Sequence, residues 1–198
     1  MMPHVARFLP FLALAALMLS GCDRRTITEA LPWQRFTMGS AFMEPTVRKD
    51  TTLTGVSVEL AELARGDLLV VRHADQYWIS RLAGKPGDTI ALVGGSVVLN
   101  GRPVARRDIG TWTITDYPEP GPVTMQSERF PGESGAHRVL DAGATPADDY
   151  AETVLGRDEF FLLSDNRDYA IDSRYPVGLG LGVIRGQDIL RRVDADED

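Results

Sequence analysis

Residues 65–104 read RGDLLVVRHADQYWISRLAGKPGDTIALVGGSVVLNGRPV, a succession of short β-favouring runs separated by turns. The run at 68–71 is continuously apolar and is a strand candidate. Residues 89–99 hold two such runs around a Gly-Gly pair, and Asn100 and Gly101 follow at once, so this part of the chain predicts consecutive hairpins. These signals predict a mainly β fold.

The rest of the chain extends this pattern with weaker signals. Residues 77–79 and 160–163 are further strand candidates, and helical periodicity is visible only, and weakly, at 56–63. The stretch 105–153 contains five of the twelve prolines and few strong strand runs. Such a stretch is typical of an insertion of irregular hairpins and loops.

Composition excludes several classes of function. The formal net charge is −7, whereas a nucleic-acid-binding protein usually carries an excess of cations, so no nucleic-acid partner is expected. A single cysteine excludes an intramolecular disulfide, and the three histidines, His4, His73 and His137, are scattered, so neither a metal nor a cofactor is expected. The only lysines are Lys49 and Lys85, and these two side chains are the only amines available as a catalytic base.

The amino terminus has the pattern of an export signal. Residues 8–19 form an apolar run too short for a membrane span of about 20 residues. The run ends in LSGC, which resembles the bacterial lipobox and makes Cys22 a candidate for lipidation. We therefore expect residues 1–21 to be a lipoprotein-type signal peptide and residues 22–35 a tether. The alternative is an uncleaved signal-anchor helix with an incidental cysteine.

Four motifs occur in a distinctive order: SAFMEPT at 40–46, RGDLLVV at 65–71, SRLAGKPGD at 80–88 and SDNRDYAIDSR at 164–174. Together they resemble type I signal peptidase, a family of membrane-bound serine proteases that remove signal peptides from exported proteins. The resemblance extends over about residues 36–188. It implies antiparallel sheets of the signal-peptidase type.

The resemblance also implies an organisation for the mature chain. The β core would comprise 36–104 and 154–198, interrupted by a loop- and hairpin-rich insertion, or cap, at 105–153. Family members bind extended peptides, a mode in which main-chain hydrogen bonds add the peptide to a sheet as a strand. The expected partners are signal peptides or exported preproteins, together with a bacterial membrane reached through the lipid anchor. The globular domain is expected on the outer, periplasmic side.

The family's catalytic positions carry unusual residues in this chain. In the family, a serine attacks the scissile carbonyl and a neutral lysine takes its proton. The nucleophile position is Phe42, and Ser40 takes the place of a hydroxyl that helps to bind the oxyanion. The base position, directly before Arg81, is Ser80, and the position of the hydroxyl that holds the base is Ala170. These substitutions predict a member without catalytic activity.

Further site residues follow from the same motifs. Four candidates for peptide binding or for the wall of the cleft are Met43, Pro45, Trp78 and Ile79. Five charged residues are expected to brace the core, with Arg81 pairing with Asp165 and Arg174 with Asp172: Arg81, Asp165, Arg167, Asp172 and Arg174.

Two other functions remain open from the sequence. The chain could be an active, divergent signal peptidase with a rearranged dyad, in which Ser40 or Ser80 uses Lys85, Lys49 or, with less support, His73 as its base. Attack geometry must hold to within about 1 Å, which makes such a relocation demanding. The third function is that of an envelope lipoprotein with a purely structural role and no affinity for peptides.

Overall fold

The computed structural model describes residues 31–115 and 120–193, so the signal segment, Cys22 and most of the predicted tether lie outside the described residues. Fourteen strands lie within these two ranges. In chain order, β1 to β14 are Trp33–Thr37, Thr52–Val56, Leu68–His73, Gln76–Gly84, Thr89–Val93, Ser96–Leu99, Arg102–Pro103, Ala105–Ile114, Gly121–Arg129, His137–Asp141, Tyr150–Val154, Glu159–Leu163, Ile184–Arg185 and Ile189–Val193. The strands pair antiparallel, which confirms the expected fold class.

A seven-stranded sheet with the order β1-β2-β14-β3-β4-β12-β13 forms the largest part of the fold. The apolar run of β3 is buried on both of its faces. Leu68 and Val70 belong to an apolar cluster that also contains Met43, whereas Leu69 and Val71 belong to a second cluster. Because side chains cover both faces, the run is continuously apolar instead of alternating with polar residues.

The two predicted hairpins lie in a four-stranded sheet with the order β11-β5-β6-β7. Gly94 and Gly95 connect β5 to β6, and Asn100 and Gly101 connect β6 to β7. All four residues have positive φ, at 51°, 76°, 52° and 73°. Two-residue turns with positive φ match the twist of the flanking strands, and glycine and asparagine adopt this conformation most readily.

A three-stranded sheet, β10-β9-β8, lies within the stretch predicted to be an insertion, 105–153. The sequence shows few strand signals there, yet β8 and β9 pair along nearly their whole length. The reason is visible in β8, where Ile114 is the only buried residue. A strand with both faces largely exposed lacks the apolar periodicity by which strands are recognised. The boundaries of the insertion stay a prediction.

Helical structure in the described ranges is limited to three short 3-10 turns, Leu60–Glu62, Pro146–Asp148 and Gly186–Asp188. The weak helical periodicity at 56–63 therefore corresponds to the end of β2 and a single turn. Among the described residues, no helix has the length and apolar character needed to span a bilayer.

Candidate functional site

A groove of about 420 Å³ lies between two segments of the seven-stranded sheet, residues 34–40 and residues 76–79. The first segment contains most of β1, which is the outermost strand of that sheet. The second is the beginning of β4, whose pairing with β12 starts only at Arg81. Within the described residues, no strand pairs with the groove-facing edge of either segment. Phe36 and Tyr77 meet across the groove with ring centroids 5.4 Å apart.

Phe42 lies in the wall of this groove. Its half-buried ring stacks on Trp78, with centroids 6.3 Å apart and planes inclined by 27°. Its carbonyl oxygen accepts a hydrogen bond from the Asn166 amide at 2.9 Å, and the Asn166 side chain donates to the Ala41 carbonyl at 3.0 Å. Phe42 is therefore held by its ring on β4 and by its backbone on the loop that follows β12.

Ser80 lies on β4, two residues after Trp78 and therefore on the same face of the strand, and it is 1% exposed. It pairs in register with Leu69, so it faces the same side of the sheet as the apolar cluster that contains Leu69 and Leu82. Ala170 is also buried, in the loop after β12. Ser40 lines the groove and is half-buried.

The two lysines are not brought to the groove. Lys85 follows the far end of β4, and its Nζ donates to the Leu63 carbonyl. It lies five positions after Ser80, a distance of about 16 Å along an extended backbone. Lys49 is exposed in the segment that precedes β2. His73, the third candidate base, packs its ring edge against Trp78 at 6.5 Å between centroids.

These placements limit what the site can do chemically. A phenyl ring has no nucleophilic atom, and a serine hydroxyl is too weak a base to replace a neutral amine. The described residues contain no group of three or more His, Cys, Asp or Glu side chains that could hold a metal ion. The groove therefore offers edges for strand pairing and aromatic walls.

Among the four candidate binding residues, Trp78 and Ile79 line the groove. Met43 is fully buried in the apolar cluster that also contains Ile79, and it is not among the lining residues. Pro45 is likewise buried and lies outside the lining. Both residues follow Phe42 in the sequence, and both are buried instead of facing the groove.

The buried charged residues attach the loop after β12 to the sheet. The Arg81 guanidinium donates to both oxygens of Asp165, at 2.8 and 2.6 Å, and to the Gly66 carbonyl at 2.7 Å. Thr46 also donates to Asp165, at 2.6 Å. Burial alone would raise the pKa of Asp165, but the charge of Arg81 and its hydrogen bonds lower that pKa below its usual value. The carboxylate is therefore ionised, and it joins the SAFMEPT segment to β4.

The second expected ion pair is present within the same loop. Arg174 Nε lies 2.9 Å from Asp172 Oδ1. The other oxygen of Asp172 accepts a hydrogen bond from the Ser164 amide at 2.9 Å. Arg167 donates from Nε to the Ser164 carbonyl at 2.9 Å and from Nη2 to Glu128. These contacts fold residues 164–174 into one braced loop.

Two side-chain contacts were not predicted from the sequence. Trp112 of β8 donates from Nε1 to Glu44 at 3.2 Å, and the Arg48 guanidinium lies 5.3 Å from the centre of the same indole ring. Strand β8 therefore touches the SAFMEPT segment directly. A second contact, which lies outside the groove, is the buried pair of Glu128 and His137. No sequence signal reveals either contact, because each depends on the register and packing of a hairpin.

Residues 5–195 match the family model described as signal peptidase, peptidase S26. The chain is similar to a signal peptidase I of Bacillus amyloliquefaciens, with 23% identity over 69% of this chain and 63% of the relative. It is also similar to the signal peptidase I of Rickettsia prowazekii (strain Madrid E), with 31% identity over 59% of this chain and 47% of the relative. The matches thus span between about half and two thirds of these relatives.

Proposed function

Since the chain belongs to the signal peptidase family, peptidase S26, we propose that it binds extended peptides in the groove beside β4 without cleaving them. Its ligands would be signal peptides or the amino-terminal parts of exported preproteins. Its role would be to bind such chains or to regulate their export and processing.

The observation that carries this proposal is the pair of residues at the dyad positions. Phe42 stands at the family's nucleophile position and Ser80 at its base position. The ring of Phe42 is stacked on Trp78 in the wall of the groove, at the place of the family's nucleophile. Neither side chain can perform the family's proton transfer and attack.

Peptide binding is supported by the shape of the groove. Its two borders, residues 34–37 and 76–79, are strand segments whose outer edges pair with no described strand. An extended peptide between them can form main-chain hydrogen bonds with both edges, and these bonds are largely independent of the peptide's sequence. Alternate side chains of the peptide would then contact the aromatic rings of the wall.

The cellular location is part of the same proposal. We propose that Cys22 carries a lipid and holds the domain on the outer side of a bacterial membrane. One lipid-modified cysteine at the start of the mature chain would anchor the protein through its acyl chains. The cap at 105–153 and a tether that begins at residue 22 belong to this proposal too. The predicted end of the tether at residue 35 overlaps β1, because residues 33–35 already pair with β2.

The proposed peptide binding is tested with a fluorescent peptide that contains a small-x-small cleavage sequence. Anisotropy should report binding in the low-micromolar range, and the peptide should remain intact. Tyr77→Ala removes an aromatic ring from the groove and should weaken binding about tenfold, equivalent to about 1.4 kcal/mol. Val154→Ala, which alters a 70% exposed side chain outside the groove, is the matched control and should bind as the wild type does. Absence of binding would instead favour a purely structural lipoprotein.

A further inference from the structure

A cluster of buried charges lies between the three-stranded sheet and the loop after β12, outside the groove. His137 on β10 stands opposite Glu128 on β9, and the two residues are 1% and 0% exposed. His137 Nε2 lies 3.2 Å from Glu128 Oε1, and His137 Nδ1 lies 2.8 Å from Glu133 Oε1. Arg167 donates to the same oxygen of Glu128. Two basic side chains thus meet two carboxylates, and three of the four residues are buried, whereas Glu133 is only partly buried.

The geometry determines the charge of His137. An ionised carboxylate only accepts hydrogen bonds, so both ring nitrogens must carry a proton to bond to two carboxylates. Burial alone would lower the pKa of His137, but the hydrogen bonds to Glu128 and Glu133 raise it above the usual 6.5. Burial alone would raise the pKa of Glu128, but Arg167 and His137 lower it to about 2. A neutral His137 would keep one N–H and would turn a lone pair towards one of the carboxylates.

The cluster is connected to the groove through the loop that carries Arg167. The Arg167 amide donates to the Leu140 carbonyl of β10 at 3.2 Å. Its neighbour Asn166 holds the Phe42 carbonyl through its amide at 2.9 Å and the Ala41 carbonyl through its side chain at 3.0 Å. The same loop therefore contacts the charge cluster on one side and the wall of the groove on the other.

We propose that protonated His137 is a pH-sensitive clasp that closes the β9–β10 hairpin by joining Glu128 to Glu133, and that loss of its proton loosens this hairpin and, through the bond of Glu128 to Arg167, the loop that holds the wall of the groove. The clasp stands independently of peptide binding. Its consequence for ligands rests on the proposed function.

The other charges near the cluster do not replace the imidazolium. They are Arg81 of β4 and Asp165 of the loop, which act on His137, and Arg106 of β8, which acts on Glu128. Arg81 and Asp165 bond to each other, and Arg106 bonds to Asp141 at 2.9 Å. When His137 loses its proton, Glu133 therefore loses its cationic partner, whereas Glu128 keeps Arg167.

The direction of the pH effect follows from the raised pKa of His137. Its contribution to stability is fully present below the unfolded pKa near 6.5 and is lost as the pH rises through the folded pKa. Over that window the unfolding equilibrium constant of the full-length chain should rise by up to about tenfold per pH unit. His137→Gln should abolish this rise, and His73→Gln, the matched control on β3, should retain it. An equal rise in His137→Gln, or a flat wild type, would overturn the clasp.

A second measurement does not require His137→Gln to fold. Proton NMR of the wild-type chain, with resonances assigned by comparison with His73→Gln and His4→Gln, should show His137 titrating above 6.5. A midpoint at or below that value would contradict the clasp. Hydrogen exchange of the Asn166 amide, corrected for its intrinsic pH dependence, should accelerate at least several-fold across the same titration. Unchanged protection would refute the link to the groove, and neither readout depends on a bound peptide.

Discussion

The ion pair of Arg81 and Asp165 provides the most quantitative test of how the site is built. Arg81→Gln removes the cation from a carboxylate that is 0% exposed. The guanidinium makes two hydrogen bonds to Asp165, at 2.8 and 2.6 Å, one to the Gly66 carbonyl at 2.7 Å and one to Thr46 at 3.3 Å. Breaking a buried pair by removing one partner leaves a desolvated charge, so the substitution should cost about 3–5 kcal/mol of unfolding free energy.

A surface ion pair in the same fold supplies the control. Arg185 and Glu159 lie 3.0 Å apart, but their side chains are 55% and 23% exposed. Solvent weakens such a pair, so Arg185→Gln should cost only about 0–1 kcal/mol. A second control is Arg81→Met combined with Asp165→Leu. This double variant leaves no unpaired charge and should be more stable than Arg81→Met alone.

Urea unfolding at pH 7 and at pH 4, followed by circular dichroism, measures these differences. The folded pKa of Asp165 is lowered, so its contribution is present above the unfolded value near 3.8 and is lost as the pH falls through the folded pKa. In Arg81→Gln, protonation removes the unpaired charge of Asp165 and thereby stabilises the folded state. The difference in unfolding free energy between wild type and variant should therefore be smaller at pH 4 than at pH 7. If Arg81→Gln lost as little unfolding free energy at pH 7 as Arg185→Gln, Arg81 and Asp165 would not act as a buried ion pair.

Three further predictions concern single positions. Phe42→Ala removes a half-buried ring and should lower the unfolding free energy by about 1–3 kcal/mol, as measured by urea unfolding. An unchanged urea midpoint would argue against packing of Phe42 on Trp78. Gly66 has a φ of 95°, and a Cβ added to it would lie only 2.5 Å from Glu133 Oε1, so Gly66→Ala should lower the unfolding free energy by about 1–3 kcal/mol. Gly87→Ala should cost less, because its φ is 86° but no atom lies within 4 Å of the added Cβ. Equal losses of unfolding free energy in the two variants would show that Glu133 does not crowd Gly66. Cys22→Ala should release the protein from the membrane fraction or block its processing, and unchanged fractionation with unchanged size on a gel would rule out the lipid anchor.

Much of the fold could be predicted from local patterns. The continuous apolar run at 68–71 predicted a strand, and β3 begins with these residues. The glycine pair at 94 and 95 and the Asn100-Gly101 turn predicted the hairpins, because few other residues adopt positive φ. These signals come from residues that are neighbours in the sequence, so they can be recognised without knowledge of the tertiary structure.

The sequence predicted hairpins in the stretch 105–153, but it could not predict the length and register of the β8–β9 hairpin, because most residues of β8 are exposed. Its stability comes from cross-strand pairing and from one apolar cluster, and neither leaves a periodic signal in the sequence. For the same reason the opposition of Glu128 and His137 could not be predicted, since it depends on the register between β9 and β10. The resemblance of the motifs pointed to Phe42, Ser80 and Asp165, but not to the packing of Phe42 on Trp78.

We propose that the chain binds peptides in its groove without the protease chemistry of its family. The decisive measurement is mass spectrometry of a small-x-small peptide, incubated with the purified protein at concentrations where anisotropy shows the peptide bound. We predict that the peptide remains intact and that Ser40→Ala and Lys85→Ala behave as the wild type does. A product cut after the second small residue, formed by the wild type and lost in Ser40→Ala or Lys85→Ala, would contradict the account and establish a rearranged dyad.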